Sequence, residues 1–406
     1  MNTEKKAMVY IQSGGPTAVI NTSFYGAVVE AKKHPERISG IYGSRYGIEG
    51  LINDDLIDLN KETDEDIELL KQTPGSILGT TRRKLPQDLH DDLYMKIITT
   101  IKKHNIGYVF VNGGNDSMDT CNKLSKLCTE LKVGCQVIGV PKTVDNDLAG
   151  TDHSLGFPSA AKHVINSFQC IAVDAMSYKK SKVYIVEIMG RNAGWLTASV
   201  DLLDKDVRPD LIYLPETKFD LDSFLKDVHT IYEKKGYVIC AVSEGVNFER
   251  LNAKDTRVDS FGHAQLGGAA HDLAAIVEAK FDYPTRAIEL SLMQRADPIY
   301  VSSVDRIEAE QIGRFAVELA LRGKTGVMIG IERMDSKKEF TVLLKSSEID
   351  SIANTETFIP KHMISTKEAM SEHYRNYLRP LIQGEVNCAF ENGVLKRSKF
   401  KYIKVS

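Results

Sequence analysis

A chain of 406 residues is long enough for two core-bearing domains, because single cores stop growing well before that length. Its apolar fraction of 42% and charged fraction of 26% are those of ordinary globular proteins and exclude a disordered or fibrous chain. The formal net charge of −3 gives no global reason to expect nucleic acid or an anionic membrane as partner, so any basic site must be local.

The start, MNTEKKAMVYIQSGG, reaches a strand-like run within a few residues, leaving no room for the apolar stretch of a signal peptide. No uninterrupted apolar window approaches the roughly 20 residues of a membrane-spanning helix. The six cysteines form no C-x-x-C pair, which argues against structural zinc or a disulfide scaffold and predicts a reducing, cytoplasmic setting.

Short runs rich in Val and Ile recur along the chain: AMVYIQ at 7–12, YVFVNG at 108–113, CQVIGV at 135–140, KVYIVEI at 182–188 and YVICAV at 237–242. Helix-length stretches with apolar residues at helical spacing lie between or after them, from 88, 118, 159 and 305. Continuous rather than alternating apolar strands separated by such segments predict parallel sheets covered on both faces. The expected fold is therefore α/β: two doubly wound, Rossmann-like domains with mostly parallel sheets and a site in the cleft between them. The span 141–158 is the expected first crossing between lobes, and the polar stretch 245–261 reads as a loop near the cleft.

Ligands of wound sheets sit beyond the carboxyl ends of the strands, and four such ends carry suitable residues. QSGGPT puts Gly14 and Gly15 before a helix, where backbone amides meet an oxyanion, although a Gly-Gly after a strand also serves as plain turn chemistry. In VNGGNDS, Gly114 precedes Asn115, Asp116 and Ser117; Asp116 or Ser117 reads either as a helix N-cap or as part of a metal and phosphate ledge. GVPKTVDNDLAGTD gathers Lys142, Thr143, Asp145, Asp147 and Asp152. A carboxylate to take a hydroxyl proton beside a cation to neutralise a transferring group is what phosphoryl transfer needs. Finally, Met189, Gly190 and Arg191 leave a strand at a second glycine turn, placing a guanidinium where anions bind.

Taken together, PKTVDND, GGNDS, MGRNAGW, AVSEG and FGHAQLGG resemble the phosphofructokinase family, in the family's order, from the first strand to about residue 300. In that family PGTIDND and GGDGS mark ATP users, whereas PKTIDND and GGDDS mark users of inorganic pyrophosphate; Lys142 and Asp116 stand at the two positions that differ. An added carboxylate repels a longer polyphosphate, and a lysine supplies charge that a nucleotide's further contacts would otherwise provide. The resemblance implies pyrophosphate and fructose 6-phosphate as substrates, Mg²⁺ as cofactor and a homodimer or homotetramer. It implies Asp145 as base, with Lys142, Thr143 and Asp147 also catalytic. Gly14, Gly15, Arg82, Gly114, Asp116 and Ser117 would hold the donor, with Asp116 at the metal. Lys182, Met189, Gly190, Arg191, Glu244, Arg257, His263 and Arg295 would hold the sugar phosphate, Lys182 and Arg257 partly from a neighbouring subunit. Residues 1–156 with part of 265–325 would form the donor domain, and 157–264 with part of 326–406 the sugar phosphate domain.

Departures are visible too. Asn115 replaces an aspartate that helps hold Mg²⁺, Leu266 and Lys182 replace arginines, and Arg295 in LMQRADP resembles an alternative arginine. Beyond residue 330 the match thins, and the basic run KRSKFKYIK reads as a solvated tail. Two other readings stand beside the leading one: an ATP-dependent enzyme of the same family, and a non-catalytic sugar phosphate-binding subunit.

Overall fold

In the computed structural model, which describes residues 4–248, 267–334, 340–366 and 369–406, each of the five apolar runs is a strand buried on both faces. The first sheet contains β1 (Lys6–Gln12), β2 (Ile38–Ser44), β3 (Leu56–Asp58), β4 (Ile106–Gly113) and β5 (Gln136–Pro141). The second contains β6 (Val183–Ile188), β7 (Leu211–Tyr213), β8 (Val238–Ser243) and β9 (Thr285–Glu289). Two later strands, β10 (Val327–Arg333) and β11 (Val342–Glu348), rejoin the first sheet, giving the order β11-β10-β5-β4-β1-β2-β3; the second runs β7-β8-β6-β9. Every pair in these two sheets is parallel except those that add β3 and β11 at the two edges of the first sheet.

Alternation along each strand feeds two cores. Met8 and Tyr10 of β1 face one apolar cluster while Ala7, Val9 and Ile11 face another, and Tyr184 and Val186 of β6 are likewise separated from Val183 and Ile185. That is the double covering that continuous apolar strands require. Local signals set the helices: Asp91 accepts a bond from Leu93 N–H to open Asp92–Lys103, and Asp220 accepts one from Ser223 N–H to open Leu221–Lys235, which stops at a left-handed Gly236.

After β5 the chain leaves the first lobe, and the helix Phe157–Met176 buries Phe157, Val164 and Phe168 in the second. It returns with the helix Ser303–Leu321, which packs on Ile20–Ala31, and with β10 and β11. It crosses again with the helix Glu372–Leu378, whose Tyr374 and Leu378 lie in the second lobe's core. The tail finally lies on the first lobe, where Asp58 N–H donates to Ile403 C=O and Val405 N–H to Leu56 C=O. The basic run is therefore not simply solvated. Acidic groups pin it, with Lys396 on Glu65 and the Lys399 and Lys401 amides on Asp66 and Glu62.

Candidate active site

Residues at the carboxyl ends of β1, β4 and β5 in one lobe and β6, β8 and β9 in the other line a single cavity of about 580 Å³. At the end of β1, Gly14 adopts φ 76°, a conformation that only glycine takes without strain, and a Cβ there would come within 3.3 Å of the Lys142 ammonium. Lys142, only 3% exposed, donates to the Gly15 carbonyl at 2.7 Å. Burial and the positive charge of Arg295 push its pKa down to about 7, against the pull of Asp145. A Cβ on Gly15 would come within 2.6 Å of the Arg295 guanidinium and 3.8 Å of that of Arg82, so three cationic groups converge on this glycine turn.

At the end of β4, the helix Asn115–Glu130 begins at Gly114, with no side chain capping it. Asn115, Asp116 and Ser117 therefore stand in its first turn and line the cavity, at the positive end of the helix dipole. Asp116 lies 3.4 Å from the Lys84 ammonium. Asn115 Nδ2 donates to Asp147 Oδ2 at 3.2 Å, while Asn115 Oδ1 and Asp147 Oδ1 are buried and accept no hydrogen bond.

The turn after β5 supplies the acids. Burial raises the Asp145 pKa, and Arg191, Lys142 and Arg295 oppose the shift without cancelling it. Burial, Asp145 and Glu356 push Asp147 up to about 7. Across the cavity Glu244 is also raised to about 7 by burial and by Asp145, and it accepts a bond from Gly190 N–H at 3.3 Å. The buried Arg191 Nε donates to no group. A carboxylate with a raised pKa beside cations aimed into one cavity is equipped to accept a proton while an anion is held next to it.

A family model described as phosphofructokinase matches residues 7–320. The chain belongs to the phosphofructokinase family. It is 38% identical over 398 residues to the pyrophosphate–fructose 6-phosphate 1-phosphotransferase of Halomonas elongata, covering 96% of this chain and 95% of that one. The protein of the same name from Methylococcus capsulatus is 38% identical over 93% of this chain and 91% of its own. Among solved structures, the pyrophosphate-dependent phosphofructokinase of Marinobacter aquaeolei superposes with a TM-score of 0.89 at 36% identity, over 99% of this chain and 98% of that chain.

Against this family background, the cavity brings together Gly14, Gly15, Arg82, Gly114, Asp116, Ser117, Lys142, Thr143, Asp145, Asp147, Met189, Arg191, Glu244 and Arg295, with Gly190 in the adjoining turn. Lys182 is not among them: it precedes β6, at the opposite end of the strand from Met189. Arg257, His263 and Leu266 lie outside the described residues. Arg295, expected on the sugar side, reaches the glycine turn after β1.

Sequence reasoning missed Glu356, which lines the cavity, accepts bonds from Asn192 Nδ2 at 3.2 and 3.0 Å, and pairs through its backbone with Leu148. No motif surrounds it, and it comes from the region where the family match had thinned. Asn192 itself, inside MGRNAGW, was within reach of the motif reading. Among the described residues no group of three His, Cys, Asp or Glu side chains gathers for a metal, and no helix is long and apolar enough to cross a membrane.

Proposed function

We propose that this chain transfers a phosphoryl group reversibly from inorganic pyrophosphate to the 1-hydroxyl of fructose 6-phosphate, giving fructose 1,6-bisphosphate and phosphate. The observation that carries the reading is Lys142, a buried ammonium held by Gly15 among the donor glycines, with Asp145 beyond it and Asp116 at the next strand end. The names of the relatives support the same donor. Asp145 takes the proton as the hydroxyl oxygen attacks phosphorus and the bridging P–O bond breaks in line. Lys142, Arg82 and Arg295 stabilise the charge on the transferring group and on departing phosphate, with Thr143 beside them. The first-turn amides after Gly114 cradle the donor with Gly14, Gly15 and Ser117. Met189, Gly190, Arg191 and Glu244 form the sugar side.

The metal we assign to this site is Mg²⁺. Asn115 Oδ1 and Asp147 Oδ1 are oxygen donors without partners, and with Asp116 they suit a hard ion that keeps most of its waters and binds phosphates jointly with one or two carboxylates. When bound, the ion supplies charge neutralisation on the phosphates. A homodimer or homotetramer follows if Lys182, remote from its own cavity, serves a neighbouring copy; full turnover by a species that sediments as a monomer would exclude it. Six free cysteines support a cytoplasmic location.

Initial rates with pyrophosphate and with ATP, run side by side in both directions, test the donor. Turnover with pyrophosphate and little with ATP is expected. Asp116→Gly combined with Lys142→Gly should weaken pyrophosphate use and admit ATP; no gain in ATP binding by calorimetry would reject the explanation of donor choice.

A further inference from the structure

Asn146 stands between Asp145 and Asp147, so its two backbone dihedrals set where one carboxylate lies relative to the other. It adopts φ 55°, in the left-handed region that most side chains avoid and asparagine tolerates better than others, so its side-chain contacts decide whether it stays there. Both ends of its buried side chain are held. Asn146 Oδ1 accepts from Ser154 N–H at 2.8 Å, and because that atom must be the oxygen, Nδ2 is the end that donates to the Tyr377 hydroxyl, at 2.9 Å. Tyr377 spends its one hydroxyl proton on the Asp152 carbonyl at 2.9 Å, so it is left to accept from Asn146. The ring lies 5.2 Å from Trp195 and 4.8 Å from the Arg333 guanidinium, and Arg333 binds the Asp152 carboxylate through two nitrogens and the Tyr377 carbonyl at 3.1 Å. Tyr377 is on the helix Glu372–Leu378, beyond the residues 7–320 that the family model matches.

We infer that Tyr377 is a positioning residue for phosphoryl transfer: from outside the matched family domain, its hydroxyl holds Asn146 in the left-handed conformation that fixes Asp145 relative to Asp147. The inference rests on the reading of Asp145 as base. Aligned reacting groups tolerate little displacement, and a shift of about 1 Å costs on the order of a hundredfold in rate. Binding of either substrate, which draws on many other residues of the cavity, is affected less.

The test is Tyr377→Phe in the full chain, which keeps the ring and removes the hydroxyl that accepts from Asn146 and donates to the Asp152 carbonyl, compared with Tyr374→Phe. Tyr374 is on the same helix and donates its hydroxyl to the Trp195 carbonyl at 2.5 Å, so that variant disturbs packing without reaching the turn. Tyr377→Phe should lower kcat with pyrophosphate about tenfold or more while KM for each substrate moves less than about threefold; Tyr374→Phe should leave kcat unchanged at a similar loss of melting temperature. A cycle with Asn146→Gly, where a positive φ is free of strain and no side chain needs the hydroxyl, should show the two losses failing to add. The inference is overturned if Tyr377→Phe keeps kcat within twofold, if both tyrosine variants lose turnover equally, or if the cycle is additive. Asp145→Ala, expected to lose at least about a hundredfold, separates the two readings. Inactive Asp145→Ala beside fully active Tyr377→Phe sinks the positioning role alone, whereas full turnover in both removes Asp145 as base as well.

Discussion

Lys142 carries an energetic penalty in the folded chain, because its charge is buried. Its folded pKa of about 7 lies below the ordinary 10.5, so between these values the unfolded chain holds a proton that the folded chain does not. At low pH the buried charge opposes folding, and the opposition fades as pH rises through this window. Lys142→Met should accordingly be more stable than the parent near pH 6, by on the order of 5 kcal/mol, with the advantage shrinking toward pH 10. Urea unfolding of both proteins across pH measures it; a difference that does not change with pH would mean that the lysine is not destabilised by burial. An anionic donor brought to the Gly15 turn would remove the same penalty, coupling donor binding to uptake of a proton.

Among the elements, the contact between the helices Ile20–Ala31 and Ser303–Leu321 fastens the late part of the chain onto the first lobe. A Cβ on Gly313 would come within 2.0 Å of the Ser23 carbonyl, and one on Gly26 within 2.1 Å of that of Glu310, so these two glycines set how closely the backbones approach. Alanine in an open helix gains about 1 kcal/mol over glycine, but a backbone clash in a packed interface costs about 1–3 kcal/mol and should win here. Gly313→Ala is predicted to lower stability in chemical denaturation, and a stabilised variant would contradict the close approach. Elements of this kind show where the sequence is readable. The five buried strands and the helices that follow them came from apolar runs and periodicity, because those signals are local. The pairing of β10 with β5 joins residues nearly 200 apart and leaves no such mark, whereas the edge strands β3, only three residues long, and β11, partly exposed along its length, pair with near neighbours in the chain but lack a continuous buried apolar run. Cys121, Cys128 and Cys135, spaced seven residues apart, all lie in one apolar cluster. Within the site, Lys142, Asp145 and Asp147 stood in one motif, whereas Glu356 and Tyr377 reach the same turn from segments without a motif.

At the scale of the whole molecule, the chain passes between lobes repeatedly, and several contacts tie the returning segments to the turn that follows β5. His153, seven residues after Asn146, donates from both ring nitrogens to the Asp152 and Glu308 carboxylates at 2.9 and 2.7 Å. Burial alone would lower its pKa, but these two acids outweigh that and hold it at about 9, so it is an imidazolium at neutral pH. Glu308 belongs to the returning helix, and Arg333 of β10 binds the same Asp152. Tyr377 of the second lobe donates to the carbonyl of the same Asp152, so the bracing crosses between lobes and predicts one cooperative transition in scanning calorimetry, with matching calorimetric and van't Hoff enthalpies; two separate peaks would show that each lobe stands alone.

The return of the chain to its first sheet also has a meaning for biosynthesis. A ribosome releases β1, β4 and β5 early, yet the neighbours of β5 on its open side, β10 and then β11, emerge only after all four strands of the second sheet. During translation the nascent first lobe therefore exposes an unfinished edge beside the turn of Asp145 and Asp147, and the cavity is completed only when the segment carrying Glu356 has been made.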